Sequence, residues 1–282
     1  MNRRKFLRNT TVGTIGIGAL SGLYAWQVEP FWLEFVNKKL PIQNLPDNLV
    51  GKTVMQISDV HIGNRFDYHY IIQSFKKAQE LQPDFVVYTG DYISYENEKQ
   101  FGQLDEVLKY AVTGTNGTVG ILGNHDYGKN WAEQDVADKV SAQLENAGVQ
   151  VLKNDQVEIS GLNFIGFDDY WALNFKPLEV MIHLNKDKAN LVLCHNPDVC
   201  DLDVWNNYQG WILSGHTHGG QCKAPFLNPP LLPVKNKKFS AGEIDLEDGR
   251  TLYINRAIGH LWQIRFNVRP EITIFHLEQA LS

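Results

Sequence analysis

The chain has 282 residues, 43% of them hydrophobic and 21% charged, enough to bury a full-sized core as one large α/β domain or two small ones. Its net charge of −6 conceals an asymmetry: Arg3, Arg4, Lys5 and Arg8 place four of the 26 basic residues in the first ten positions, leaving 22 against 32 acidic residues elsewhere. That balance speaks against a surface that coats nucleic acid, and three cysteines without paired spacing (Cys194, Cys200, Cys222) speak against a disulfide scaffold or a thiolate zinc site.

Residues 1–26 read as a targeting segment. A basic stretch from Asn2 to Arg8 precedes an uncharged, mildly apolar run from Thr10 to Trp26 that is rich in Gly and Thr. This arrangement resembles a twin-arginine (Tat) export signal, and with no clean small-residue cleavage site after it the segment is expected to be a signal or a signal-anchor. The run is short and mild for a membrane-spanning helix. Residues 27–48 read as an amphipathic connector. There Phe31 and Phe35, and Trp32 and Val36, stand at i,i+4 spacing ahead of Lys38 and Lys39, as in a short helix lying on a membrane surface or packing on the domain. Pro41 to Asp47 is a linker with two prolines, and the globular domain is expected over 49–280.

Within that domain Thr53 to Ile57 is a strand, and 68–81 has helical spacing through Ile71, Ile72, Phe75, Ala78 and Leu81. Phe85 to Tyr88 is a buried strand, 101–110 a helix, and Val119 to Leu122 a strand ended by Gly123. A helix over 131–147 closes at Gly148. Short strands follow at 149–152, 156–159 and 163–167, then a helical stretch at 178–184 and strands at 190–194 and 210–213. A Pro-rich loop at 225–233 precedes the last strands, 251–255 and 271–276. Strand-helix alternation followed by clustered strands predicts one α/β domain with a pair of sheets between helices.

Strand after strand ends in a residue able to bind metal: Asp59 and His61, Asp91, Asn124 and His125, His195, His216 and His218. One such ending is ordinary, since a lone histidine is more often structural, and Gly123-Asn124-His125-Asp126 by itself is as readily a polar loop cap. Five endings, each after an apolar run, point to one edge where the C-terminal ends of strands converge. Carboxylate, amide oxygen and imidazole suit two divalent ions of the Mn, Fe or Zn kind. Two such ions about 3.5–4 Å apart, joined by a carboxylate, activate water and clamp the attacking and leaving oxygens of a phosphoryl centre.

Together Asp59-x-His61, Gly90-Asp91, Gly123-Asn124-His125-Asp126, His195 and Gly215-His216-x-His218 resemble the calcineurin-like metallophosphoesterases, with all five blocks in the family's order. The resemblance implies a four-layer αββα sandwich of two mixed sheets. It implies that Asp59, His61 and His218 hold one metal, that Asn124, His195 and His216 hold the other, and that Asp91 bridges them. It also implies that His125 acts as general acid or stabilises the transition-state charge, with Asp126 orienting its ring. His195-Asn196-Pro197-Asp198, Asn255-Arg256-Ala257-Ile258-Gly259 and Arg269-Pro270-Glu271-Ile272 are similar to a Tat-exported branch of the family, the YaeI- and YkuE-like proteins. Relatives in that branch hydrolyse UDP-2,3-diacylglucosamine in lipid A synthesis.

The implied activity is hydrolysis of a phosphodiester or pyrophosphate by a metal-bridging hydroxide, with two divalent ions, Mn foremost and Fe or Zn as alternatives. The expected partners are a phosphoester, lipid-linked in view of the signal and of Phe31, Trp32 and Phe35, together with the Tat machinery and a membrane surface, but no nucleic acid. The expected location is the periplasm or the outer face of the cytoplasmic membrane. Beyond the metals, Asp169, next to Asp168, is expected to rim the pocket, and Arg256 to pair a phosphate through its planar fork, although a structural ion pair suits Arg256 as well. Trp171 and the Pro225 to Pro233 loop are candidates to hold an apolar part of the substrate. Two other readings are a phosphomonoesterase on nucleotides or proteins and a non-catalytic scaffold; the complete ligand set speaks against the scaffold. His69, His183, His260 and His276 carry no strand-end signature and read as ordinary.

Overall fold

The computed structural model describes residues 2–280, and in it the short apolar runs become strands covered on both faces. In chain order the elements are α1 (Arg3–Gln27), β1 (Glu34–Ile42), β2 (Thr53–Ile57), α2 (His69–Gln79), β3 (Phe85–Thr89), α3 (Lys99–Leu108), β4 (Gly117–Ile121), α4 (Gln134–Asn146) and β5 (Gln150–Val151). They continue with β6 (Asp155–Ile159), β7 (Leu162–Gly166), α5 (Pro177–Met181), β8 (Ala189–Leu193), β9 (Gly210–Ser214), β10 (Gly242–Asp245), β11 (Arg250–Ile254) and β12 (Glu271–Gln279).

The strands form two six-stranded mixed sheets, ordered β1-β12-β2-β3-β4-β5 and β10-β11-β9-β8-β7-β6. Strand alternation explains how one run serves two cores. In β2 and β3, Val54, Phe85 and Val87 point at the second sheet and meet Phe164, Leu191, Leu193 and Leu213 there. Their neighbours Met55, Ile57, Val86 and Tyr88 point outward, against Ile71, Phe75, Leu104 and Val140 of α2, α3 and α4. On the far side Ile165, Val192, Ile212 and Leu252 pack on Val180 and Met181 of α5 and on Val199 and Cys200. The result is the αββα sandwich expected of the family. β2, β3 and β4 run parallel, as do β7, β8, β9 and β11, so their C-terminal ends open onto shared edges.

Two N-terminal expectations change. The stretch after Glu29 is no surface helix: a short 3-10 turn (Glu29–Phe31) leads into β1, which pairs in parallel with β12 from Glu34↔Glu271 to Ile42↔Gln279. The folded unit therefore begins well before residue 49. The run expected as a signal is α1, solvent-exposed along nearly all its length and seated by the buried Ala25 and an edge-on contact of Tyr24 with Phe266. Among the described residues no helix is both long enough and apolar enough to cross a membrane.

Candidate metal centre

Six loops that follow parallel strands meet at one place. Asp59 and His61 follow β2, Asp91 follows β3, Asn124 to Asp126 follow β4, Asp168 and Asp169 follow β7, His195 follows β8, and His216 and His218 follow β9. Every turn is tight. Asp59, His61, Asp91, His216 and His218 all adopt positive φ, between 51° and 70°, a conformation that costs a non-glycine residue about 1–3 kcal/mol and persists where surrounding structure enforces it. Two glycines permit the crowding. At Gly90, with φ of 92°, a Cβ would stand 2.7 Å from Nδ1 of His195, and at Gly215 it would collide with the Ser58 hydroxyl and the Asp59 carboxylate.

The loops are stitched across the two sheets. The His216 backbone N–H donates to both Asp59 carboxylate oxygens (3.0 and 3.1 Å). Gln56 reaches from beneath, its amide donating to Thr89 Oγ1 at 3.1 Å and to the Ser214 carbonyl at 3.0 Å. Backbone groups also set the tautomers of two imidazoles. His195 Nδ1 donates to the Thr89 carbonyl at 2.7 Å, which turns Nε2 toward the cluster. His216 Nε2 donates to the Pro233 carbonyl at 3.0 Å, which leaves Nδ1 facing the cluster. His61 Nδ1 lies 3.0 Å from the Ser94 hydroxyl. Ser94 and Pro233 escape sequence reasoning, because a carbonyl or a serine in a loop leaves no spacing signal.

The free lone pairs converge. Asp91 Oδ2 lies 3.5 Å from His61 Nε2 and 3.2 Å from His195 Nε2, while the His125 backbone N–H holds Oδ1 at 2.9 Å. His61 Nε2 faces His218 Nε2 at 3.0 Å, and His218 Nε2 stands 3.3 Å from Asp59 Oδ1. His216 Nδ1 faces His195 Nε2 at 3.3 Å. Two buried groupings result, Asp59-His61-His218 and Asp91-His195-His216, with His61, Asp91 and the half-buried His125 forming a third. The Asn124 side-chain oxygen is buried without a hydrogen-bond partner, although buried amide oxygens are almost always satisfied.

The charges favour a cation. Burial works against ionising Asp59, but His218 and His195 overcome it and bring its pKa down to about 2. Asp91, against the same burial, is held well below the carboxylate range by His195 and His125. Burial opposes charge on His195 too, yet Asp91 and Asp59 hold it well above its usual value. Burial takes His61 well below its ordinary value and His216 down to about 3. Ionised carboxylates, the neutral imidazoles of His61 and His216 and an orphaned amide oxygen surround one point, and a divalent cation there would take the place of the proton that the carboxylates hold on His195.

The outer residues fall less evenly. Asp126 does not touch the His125 ring. Its carboxylate accepts the backbone N–H groups of Asp91 (2.9 Å), Gly123 (2.8 Å), Tyr92 (2.7 Å) and Ile93 (3.2 Å), so it fixes the Asp91 loop instead. Asp169 is buried; one oxygen accepts the Trp171 N–H at 2.8 Å, the other has no partner, and burial raises its pKa to about 7. Trp171 stands edge-on to His216, with ring centroids 4.5 Å apart. Arg256 is engaged in the fold: its guanidinium pairs with Glu271 and, at 2.9 Å, with Glu34 on β1. That ion pair is the structural alternative its sequence context allowed.

The family profile described as calcineurin-like phosphoesterase matches residues 52–220. The chain is 29% identical to phosphodiesterase YaeI of Escherichia coli, over 98% of this chain and 99% of that protein. It is likewise 29% identical to the metallophosphoesterase YkuE of Bacillus subtilis, over 99% of both chains. It is 25% identical to the UDP-2,3-diacylglucosamine pyrophosphatase LpxG of Chlamydia muridarum, over 90% of this chain and 92% of that one.

Proposed function

Since the chain belongs to the calcineurin-like phosphoesterase family and is a metal-dependent phosphoric ester hydrolase, we propose that it cleaves a phosphodiester or pyrophosphate bond of a lipid-linked substrate at the cell envelope. The carrying observation is Asp91: one carboxylate oxygen is locked by the His125 N–H while the other faces imidazoles of both groupings, the position a bridging ligand needs. Asp59, His61 and His218 would hold one ion, and Asn124, His195 and His216 the other. Such ions supply Lewis acidity at a phosphoryl centre and a nucleophile at neutral pH. Manganese fits this hard and borderline donor set, with Fe or Zn as alternatives.

His125 stands half-buried at the mouth, edge-on to His61 with ring centroids 5.0 Å apart. Burial lowers its pKa below the usual imidazole value, so near pH 7 it is neutral and carries one N–H. That N–H can donate a hydrogen bond to the oxygen of the departing group and stabilise the charge developing there while the ring keeps its proton. The loop strain and cross-sheet hydrogen bonds hold the ligand side chains in place before substrate arrives, which is the preorganisation that electrostatic catalysis requires.

A diester or pyrophosphate reading draws support from the names of YaeI and LpxG, and a lipid-linked one from LpxG. Placement outside the cytoplasm draws support from the basic start of α1 and its likeness to a Tat signal, which would make the export machinery and a membrane surface its partners. The test is Asp91→Asn, assayed on bis-p-nitrophenyl phosphate with Mn beside metal analysis of the purified protein. A loss of about 100-fold or more is expected, in line with removal of a group that positions catalytic charge. Full activity without this carboxylate would sink the proposal, and p-nitrophenyl phosphate in parallel separates diesterase from monoesterase.

A further inference from the structure

Beside His216 and His218 a cleft of about 480 Å³ opens to solvent. Leu231, Leu232 and Pro233 line one wall, and Leu261, Trp262 and Ile264 the other. Leu231 is 80% and Trp262 69% exposed, and Phe226 and Leu227 are exposed on the same Pro-rich loop. Soluble proteins seldom leave so much contiguous apolar surface without a use.

The cleft is built and tied to the metal centre. Its first wall is anchored where the Pro233 carbonyl accepts the ring Nε2–H of His216, and Asp198 takes the backbone N–H groups of Lys235 (2.7 Å) and Asn236 (3.0 Å) just beyond. Its second wall is clamped by Gln221, three residues after His218. The Gln221 amide donates to the Trp262 and Ile264 carbonyls, both at 2.9 Å, and its oxygen accepts the Leu261 N–H at 3.1 Å. No charged side chain lines the cleft, so it offers nothing to a second ionic group. The apolar surface also continues outward. Gln263 donates to the Trp26 carbonyl at 3.2 Å and the Arg265 N–H to the Ala25 carbonyl at 2.9 Å, which seats the end of α1, with Leu23 and Trp26 exposed, against the second wall.

We infer that this cleft is a chain-binding subsite: it receives the hydrocarbon chain of a phosphoester whose phosphate lies at the metal centre, and the α1 side is where that chain arrives from a lipid surface. The inference rests on the hydrolase reading above and names its substrate class. Burying a methylene is worth about fourfold in affinity, so chain length should register directly in binding.

The experiment titrates butyl phosphate and decyl phosphate, below micelle-forming concentrations, into the full chain loaded with Mn, by calorimetry, and assays bis-p-nitrophenyl phosphate on the same samples. Decyl phosphate is expected to bind about 30-fold or more tighter than butyl phosphate, even with only part of the chain buried. Leu231→Ser with Trp262→Ser, both at exposed positions that the fold tolerates, should abolish most of that preference. Equal affinities for the two ligands, or a preference the double variant keeps, would overturn the subsite whatever happens to the soluble ester. A chain-length preference without turnover of the soluble ester would uphold the subsite and count against the hydrolase reading instead.

Discussion

At Asp126 a carboxylate that stands beside His125 in sequence serves a different neighbour in space. Sequence adjacency suggested that it steers His125; the fold turns it under the loop of Asp91, where four backbone N–H groups converge on it. Burial and the nearby Asp91 push its pKa up, and those four donors pull it back toward the ionised, accepting form. Asp126→Asn would present an amide NH₂ to donors that need an acceptor, at a cost of about 2–3 kcal/mol. It would also release the Asp91 carboxylate, for which about 10–100-fold weaker metal binding is expected. Thermal melts and metal titrations of the variant check this; normal values in both would show that Asp126 is dispensable to the Asp91 loop. Arg256 teaches the same lesson, since its partners Glu34 and Glu271 lie 222 and 15 positions away and no local pattern announces them. The metal-competent residues were legible for the opposite reason. Each sits directly after an apolar run, and a run's end is a local signal.

Among the elements, β1 misleads for a physical reason. Spacing of i,i+4 marks a helix face, but Phe31 and Trp32 belong to the 3-10 turn and its end while Phe35 and Val36 open β1, so each pair spans two elements and fits a helix and a turn running into a strand equally. Only pairing with β12 decides between them. The loop after β11 shows how an element supports the site without touching it. Fully buried Arg265 donates to the carbonyls of Arg256 (2.9 Å), Gly259 (2.8 Å) and Val268 (3.2 Å) and to His260 Nδ1 (2.9 Å), while the Gly259 N–H donates to the Asp59 carbonyl at 2.9 Å. His260, read from sequence as ordinary, is boxed by Phe66 at 4.8 Å and Tyr70 at 6.0 Å. Burial first, and Arg265 second, hold its pKa well below 6.5. In the folded protein it stays neutral where the unfolded chain would take a proton, so its contribution is intact above pH 6.5 and is lost as pH falls below that value. Melting curves of the metal-loaded protein from pH 7.5 to 5 should therefore slope less steeply for His260→Gln than for wild type, and equal slopes would assign the acid sensitivity elsewhere.

On the scale of the whole molecule, the metal centre is a seam. One side comes from loops of the β2-β3-β4 sheet and the other from loops of the β8-β9 sheet, so bound ions would fasten the two halves of the sandwich. Ligands that bind only the folded state stabilise it by about 2.7 kcal/mol at 100 times their dissociation constant. Chelation is thus expected to lower the melting temperature by about 5–10 °C, and added Mn to restore it; a melting point indifferent to both would mean the seam holds without ions. The sheet order carries a further consequence, for the way the protein is made. β12, the last strand, lies between β1 and β2, the first two. A nascent chain cannot complete that sheet until residues 271–279 have left the ribosome, so β1 must wait unpaired, with Phe35 and Leu40 exposed, while residues 43–270 are made. Chaperone capture or premature aggregation should concentrate in that interval, and a chain stopped anywhere short of Glu271 would lack the strand that joins its beginning to its core.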